Sequence, residues 1–264
     1  MAEVYADQNP ILWSRRDLDI TNRHDALQKI IELKPDLVIN CTAYNAVDKA
    51  EDEPMLANAV NGEAVGFLAE ACKSAHAVLV HYSTNYVFDG NKKEGYNEGD
   101  TPSPQSVYGR SKLLGEQKAQ QYDKAYVIRT AWLYGQQGLG ESSKRNFVNT
   151  MLDLTKEKER IECVDDQFGN PTYAKDVAQA TRALVDERKP YGIYHFVNDG
   201  RATWFTWAKE IFQLKNINVD LIPTTSANNV LPLHKAKRPQ YGILNNTKFI
   251  QLRPWEEALR EYLS

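Results

Sequence analysis

Ala77-Val78-Leu79-Val80-His81-Tyr82-Ser83-Thr84 is an apolar run that ends in two hydroxyl side chains. Its length and composition predict a buried strand. In open α/β sheets ligands sit at the carboxyl ends of such strands, which puts Thr84 at the mouth of a site. Downstream, the proline-rich loop Thr101-Pro102-Ser103-Pro104 leads to Ser106, a cap for the helix that opens Val107-Tyr108-Gly109-Arg110-Ser111-Lys112. Tyr108 and Lys112 are four residues apart and share one helix face. An ammonium beside a phenol favours phenolate, lowering the tyrosine pKa from about 10 toward the range of a general acid or base. Lysine tunes and tyrosine transfers. The set reads as a device that delivers a proton to a carbonyl under reduction, with the Thr84 hydroxyl on the same oxygen. Tyr-x-x-x-Lys alone is a weak signal; strand, hydroxyl, loop and helix in this order give it weight.

Outward from this stretch, strand and helix patterns alternate. Ile11 to Ser14 predicts a strand, and Asn22 opens a helix carrying Ala26, Leu27, Ile30, Ile31 and Leu33. Leu37 to Asn40 predicts the next strand, and a long helix runs from Pro54 to about Ser74. Tyr126 to Thr130 is strand-like again. Such alternation predicts a largely parallel sheet. Residues 89–105 read as a surface loop bordering the site, and Gly135 to Gly140 as a flexible lid. Further on come a helix from Phe147 to Lys156, a short strand from Ile161 to Val164 and a helix from Tyr173 to Val185. Trp204, Phe205, Trp207, Ile211, Phe212 and Leu214 follow helical spacing and predict core. Residues 1–135 thus read as an incomplete dinucleotide-binding core with the catalytic residues, and 136–264 as mainly substrate-binding, interleaved with that core.

A net charge of -3 over 264 residues gives no electrostatic reason to expect nucleic acid or an anionic membrane, so the expected partner is a small molecule. Cys41, Cys72 and Cys163 are odd in number and widely spaced, which supports neither a disulfide framework nor a zinc site. His81 and His195 lie in apolar runs where structural histidines are common; no metal is assigned. Without an 18-residue apolar run or a basic signal start, the expectation is a soluble cytoplasmic protein.

Asp17-Leu18-Asp19-Ile20-Thr21, Pro35-Asp36-Leu37-Val38-Ile39-Asn40, Ala46-Val47-Asp48-Lys49-Ala50-Glu51, Ser83-Thr84-Asn85-Tyr86-Val87-Phe88-Asp89-Gly90, Tyr108 to Lys112, Arg129-Thr130-Ala131-Trp132-Leu133-Tyr134-Gly135 and Asp166-Gln167-Phe168-Gly169-Asn170-Pro171-Thr172 follow one another along the chain. In this order they resemble the extended short-chain dehydrogenase/reductases and, within them, the dTDP-4-dehydrorhamnose reductases. The resemblance covers nearly the whole chain. It implies an α/β, Rossmann-like, doubly wound sheet with a smaller C-terminal substrate-binding portion. It also implies NADPH- or NADH-dependent reduction of the 4-keto group of dTDP-4-dehydro-L-rhamnose to dTDP-L-rhamnose, for cell-surface polysaccharide. The partner is then a dTDP-sugar, with no nucleic acid and no membrane, and a homodimer is compatible with it.

By the same resemblance Tyr108 donates the proton, Lys112 holds the cofactor ribose and Thr84 touches the reacting sugar. Asp19 and Ile20 face the adenine side of the cofactor; Ala43, Tyr44 and Asn45 line its ribose and nicotinamide path. Their alternative roles are a capping aspartate, a core isoleucine and a bend after a strand. Trp132 stands as an aromatic wall of the sugar pocket or as a core indole. Gln167 and Thr172 belong to a turn near the nucleotide, and Arg238 to a basic stretch suited to a diphosphate. Asn85 replaces the aspartate usual in the family, removing a charge while keeping hydrogen-bonding capacity.

Members of that family open with an apolar strand and a Gly-x-x-Gly-x-x-Gly turn for the pyrophosphate. Here Met1 to Asp7 reads as the tail of the helix that follows such a turn, and Ile11 to Ser14 as the second strand. The difference is roughly 20–25 residues, a strand, its turn and most of a helix. The absent strand would be the middle one of the sheet, so the sheet closes up, another chain fills the slot, or the cofactor site stays incomplete. Weak or absent nicotinamide cofactor binding is expected. A non-catalytic sugar-nucleotide-binding relative and another sugar-nucleotide oxidoreductase or epimerase are the competing readings.

Overall fold

Strand β2 (Val78–Thr84) lies inside a parallel four-stranded sheet of order β1 (Leu37–Asn40), β2, β3 (Ala125–Thr130) and β8 (Gly192–His195). The computed structural model describes residues 1–136, 138, 145–228 and 235–264. In register, Leu37 pairs with Val78, Leu79 with Ala125 and Tyr126 with Gly192. The fourth strand is thus contributed by the second half of the chain.

Both faces of this sheet are covered, which is why its strands read as continuous apolar runs. Alternate side chains divide between the faces. Leu79 and Val127 pack with Ala26 and Ile30 of α1 (Arg23–Leu33) and with Val65, Leu68 and Cys72 of α3 (Ala64–Ala75). Val80, Tyr126 and Ile128 face Val177, Ala180 and Leu184 of α6 (Ala174–Asp186). The expected opening of α1 is present: the Asn22 side chain accepts from Asp25 N.

The long helix expected from Pro54 to about Ser74 is present, with a π-turn inside it. It starts as α2 (Pro54–Asn58), widens into a π-turn over Ala59–Glu63 and continues as α3. There α4 (Val107–Ala119) approaches the π-turn so closely that a Cβ on Gly115 would stand 2.1 Å from the Asn61 carbonyl oxygen. Gly115→Ala is therefore expected to destabilise the fold by about 1–3 kcal/mol. A urea midpoint equal to the parent's would show that α4 does not depend on this approach.

A second layer holds α5 (Phe147–Glu157), α7 (Trp204–Leu214), α8 (Trp255–Leu263) and the parallel pair β5 (Arg160–Val164) and β10 (Asp220–Thr224). Its core centres on Trp207, Ile211, Phe212 and Leu259, as the helical spacing predicts. Two short ladders join the layers, β4 (Leu133–Tyr134) with β7 (Thr172–Tyr173) and β6 (Phe168–Gly169) with β9 (Ala202–Thr203). Of the expected lid, Gln137, Leu139 and Gly140 lie outside the described residues.

The start of the chain departs from expectation. Residues 11–14 form no strand, and Ile11, Leu12 and Trp13 are 61%, 60% and 40% exposed. A strand needs a ladder, and β1, the edge of the described sheet, does not pair with this segment. Nor are the first residues the tail of an α-helix: turns lead to a short 3-10 helix, Ala6–Gln8. They are held by Arg182 of α6, which donates to Val4 O and to both carboxylate oxygens of Asp7, with Tyr5 buried beside it. Among the described residues no helix is long and apolar enough to cross a membrane.

Candidate active site

The N-terminus of α4 is fixed first. Ser106 Oγ accepts from Gly109 N at 3.1 Å, and Val107 N donates to Glu51 at 2.8 Å. These bonds present Tyr108, half-buried, edge-on to Tyr86 at 5.4 Å between ring centroids. Thr84, at the end of β2, accepts from Tyr86 N at 3.2 Å and lies beside the same phenol. Lys112 is 2% exposed, and its Nζ donates to the Tyr82 carbonyl. Thr84, Tyr108 and Lys112 therefore meet where β2 runs out.

The electrostatics differ from expectation. Burial pushes the Tyr108 phenol up to about 12; the Thr84 hydroxyl works against this and Tyr86 adds to it. Lys112 does not lower the phenol below its ordinary value, because loss of solvent outweighs the favourable contacts and the ammonium is engaged by a backbone carbonyl. Lys112 itself is pushed down to about 8 by burial, opposed by the Glu116 carboxylate. At neutral pH the phenol keeps its proton, the state an acid requires.

Behind β1 the chain bends through residues 43–45. Thr42 N donates to Asn40 Oδ1, while Tyr44 N and O are both bonded by the side chain of Asn61, at 2.8 and 2.9 Å. Ala43 and Asn45 are exposed. Asn61, fully buried in the π-turn, also donates to Ser111 Oγ, which in turn bonds Tyr108 O. The bend and the helix bearing the phenol are thereby one hydrogen-bonded unit. The sequence reading missed Asn61; a π-turn is frequent at functional sites but has no sequence pattern of its own.

Other expected site residues are engaged within the protein. Asp19 accepts from Thr21 N and Oγ1 at 3.0 and 2.6 Å and from Arg15, in the turn before α1, whose cap is Asn22 rather than Asp19. Ile20 is buried with Leu18 and Ile30. Asn85, 2% exposed, donates to Gly242 O at 2.8 Å, a bond an ionised aspartate cannot make. Arg238 is bidentate to Asp48 at 2.8 and 3.0 Å. Thr172 is buried, its hydroxyl on Asn170 O. Gln167 accepts from Trp204 Nε1 and donates to Ser226 Oγ. Trp132, half-buried at a backbone φ of 43°, stacks on Trp204 at 3.8 Å, and a Cβ on Gly169 would meet its ring. Thr84, Tyr108, Lys112, Asn85 and residues 43–45 gather at the sheet end; Trp132, Gln167 and Thr172 gather at the junction with the second layer. Among the described residues no three His, Cys, Asp or Glu side chains are grouped to hold a metal ion.

Residues 3–264 match the family described as RmlD substrate binding domain. The chain belongs to this family. It is 39% identical over 259 residues to a dTDP-4-dehydrorhamnose reductase of Streptomyces griseus, covering 94% of this chain and 82% of that protein. The dTDP-4-dehydrorhamnose reductase of Escherichia coli K12 is 34% identical, with 93% and 85% covered. Among solved structures, a dTDP-4-dehydrorhamnose reductase of Clostridium acetobutylicum superposes with a TM-score of 0.91 at 39% identity, over 99% of this chain and 94% of that one. That of Bacillus anthracis, in complex with NADP, gives 0.89 at 38% identity, over 95% and 88%. A UDP-glucose 4-epimerase of Thermotoga maritima, 17% identical with a TM-score of 0.76, shares the fold alone.

This RmlD-family chain also carries a buried ionic chain that its sequence did not reveal. Arg129 is paired with Glu116 at 2.7 Å, both side chains 1% exposed, and Arg129 Nη1 lies 3.5 Å from His195 Nε2. His195 N in turn donates to Glu98, buried although it belongs to the loop read as a surface segment bordering the site. Arginine and glutamate 13 residues apart on different elements give no local signal.

Proposed function

We propose that this chain acts as a dTDP-4-dehydrorhamnose reductase, reducing the 4-keto group of dTDP-4-dehydro-L-rhamnose to give dTDP-L-rhamnose. The observation that carries this reading is the meeting of Thr84, Tyr108 and Lys112 at the end of β2, in a chain 39% identical to a reductase of that name. Thr84 and Tyr108 hold the keto oxygen from one side. As charge develops there, Tyr108 gives up its proton to the alkoxide, and the high phenol pKa ensures that the proton is present. Lys112, charged below about pH 8, offsets the negative charge left on the phenolate. Residues 1–135 supply this chemistry and 136–264 the sugar-nucleotide contacts, with Trp132 and Gln167 at the border. We place the reaction in the cytoplasm, where Cys41, Cys72 and Cys163 stay reduced.

NADPH or NADH, when bound, supplies the hydride. The residues present fit its nicotinamide and ribose end: the exposed bend 43–45, tied through Asn61 to the helix of Tyr108 and Lys112, borders the acid. Residues 1–61 contain no glycine, so the pyrophosphate contacts are not assigned to any of them. The test is consumption of NADPH that depends on the keto sugar. Its absence even at millimolar NADPH would sink the reading.

A further inference from the structure

Helix α4 is registered on three successive residues of β2. Tyr108 faces Thr84, Glu116 Oε1 accepts from Ser83 Oγ at 2.5 Å, and Lys112 donates to Tyr82 O. Glu116 lies one helical turn beyond Lys112 on the same face. It also receives Arg129 Nε at 2.9 Å and Nη2 at 2.7 Å. Arg129 is itself anchored, its guanidinium 4.9 Å above the Phe88 ring and close to His195. The carboxylate is sealed from water and bonded on both oxygens, yet it does not border the keto oxygen. For stability alone, an apolar set of similar volume would serve as well or better.

We propose that Glu116, oriented by Arg129 and Ser83 one helical turn from Lys112, is a positioning residue whose charge favours the Lys112 ammonium bonded to Tyr82 O near the end of β2, so that Lys112 and Tyr108 serve one substrate oxygen. The proposal rests on the reductase reading above. The groups facing Lys112 are Glu116 from α4, Cys41 from the segment after β1, and His81 and Tyr82 from β2, with Arg129 of β3 behind Glu116. Burial lowers the His81 imidazole and raises the Tyr82 phenol, so both are neutral at neutral pH, as is the exposed Cys41 thiol, whose shift is also upward. The negative charge in this set belongs to Glu116.

The test follows the Lys112 ammonium by NMR of protein labelled with ¹⁵N-lysine, with Lys112→Met assigning the signal. Glu116→Gln is expected to move the Lys112 titration midpoint down by about one pH unit or more, and Glu116→Asp to recover most of that change. Since Glu116→Gln alone leaves Arg129 buried and unpaired, E116Q/R129M supplies a neutral pair that keeps the interior filled, and the midpoint falls in it too. A midpoint unmoved in the folded variants, with only the melting temperature lowered, would make Glu116 a structural ion-pair member and overturn the proposal. The measurement needs no turnover: a shifted midpoint in an inactive chain counts against the reductase reading alone, and an unshifted one in an active chain counts against this proposal alone.

Discussion

Tyr108→Phe is expected to lower kcat for keto-sugar reduction about 10²- to 10⁴-fold while leaving the melting temperature close to the parent's. The phenol lies beside Thr84 and packs edge-on against Tyr86, a contact phenylalanine keeps, so only the transferable proton is lost. Thr84 cannot substitute, because an aliphatic hydroxyl is a far weaker acid than a phenol. The phenol, near 12, stays protonated across the working range, so the pH profile should report its neighbour. Lys112 loses its charge as pH rises through about 8, and kcat/KM should fall there. A variant with near-parental kcat would remove Tyr108 from the mechanism.

Arg129→Met is expected to cost about 3–5 kcal/mol, because Glu116 would remain as a sealed, uncompensated carboxylate. In a chain of this size that lowers Tm by roughly 6–20 °C. The same pair removed as E116Q/R129M should recover much of the loss, since two unpaired charges disappear together. A thermal melt of the single variant that overlays the parent would mean that water reaches Glu116, against its 1% exposure.

Local signals carried much of this protein. The runs 37–40 and 77–84, and the caps at Asn22 and Ser106, depend on nearest neighbours and appear where the sequence places them. So does the meeting of Thr84 with Tyr108 and Lys112, since strand ends and helix faces follow from periodicity alone. What escaped depends on distant partners. Residues 11–14 have a strand's composition, yet a ladder is a property of two segments. The π-turn at Asn61 packs against Gly115, more than 50 positions away. Arg238 and Asn85 present side chains suited to a ligand, but Asp48 and Gly242 engage them, and neither partner is announced by spacing. The upward shift of the Tyr108 phenol shows the same limit: the charge of Lys112 is visible in a sequence, whereas the solvent removed around both groups is not.

The outer edge of β1 has a bearing on how the protein behaves in concentrated solution. An open sheet margin invites self-association, and the exposed side chains of Ile11, Leu12 and Trp13 add apolar surface in the N-terminal segment. The margin is only four residues long, which restricts any intermolecular ladder to a brief, reversible one. Clumping, where it occurs, should therefore respond to dilution and to a charge introduced at position 12 more readily than to changes within the strand.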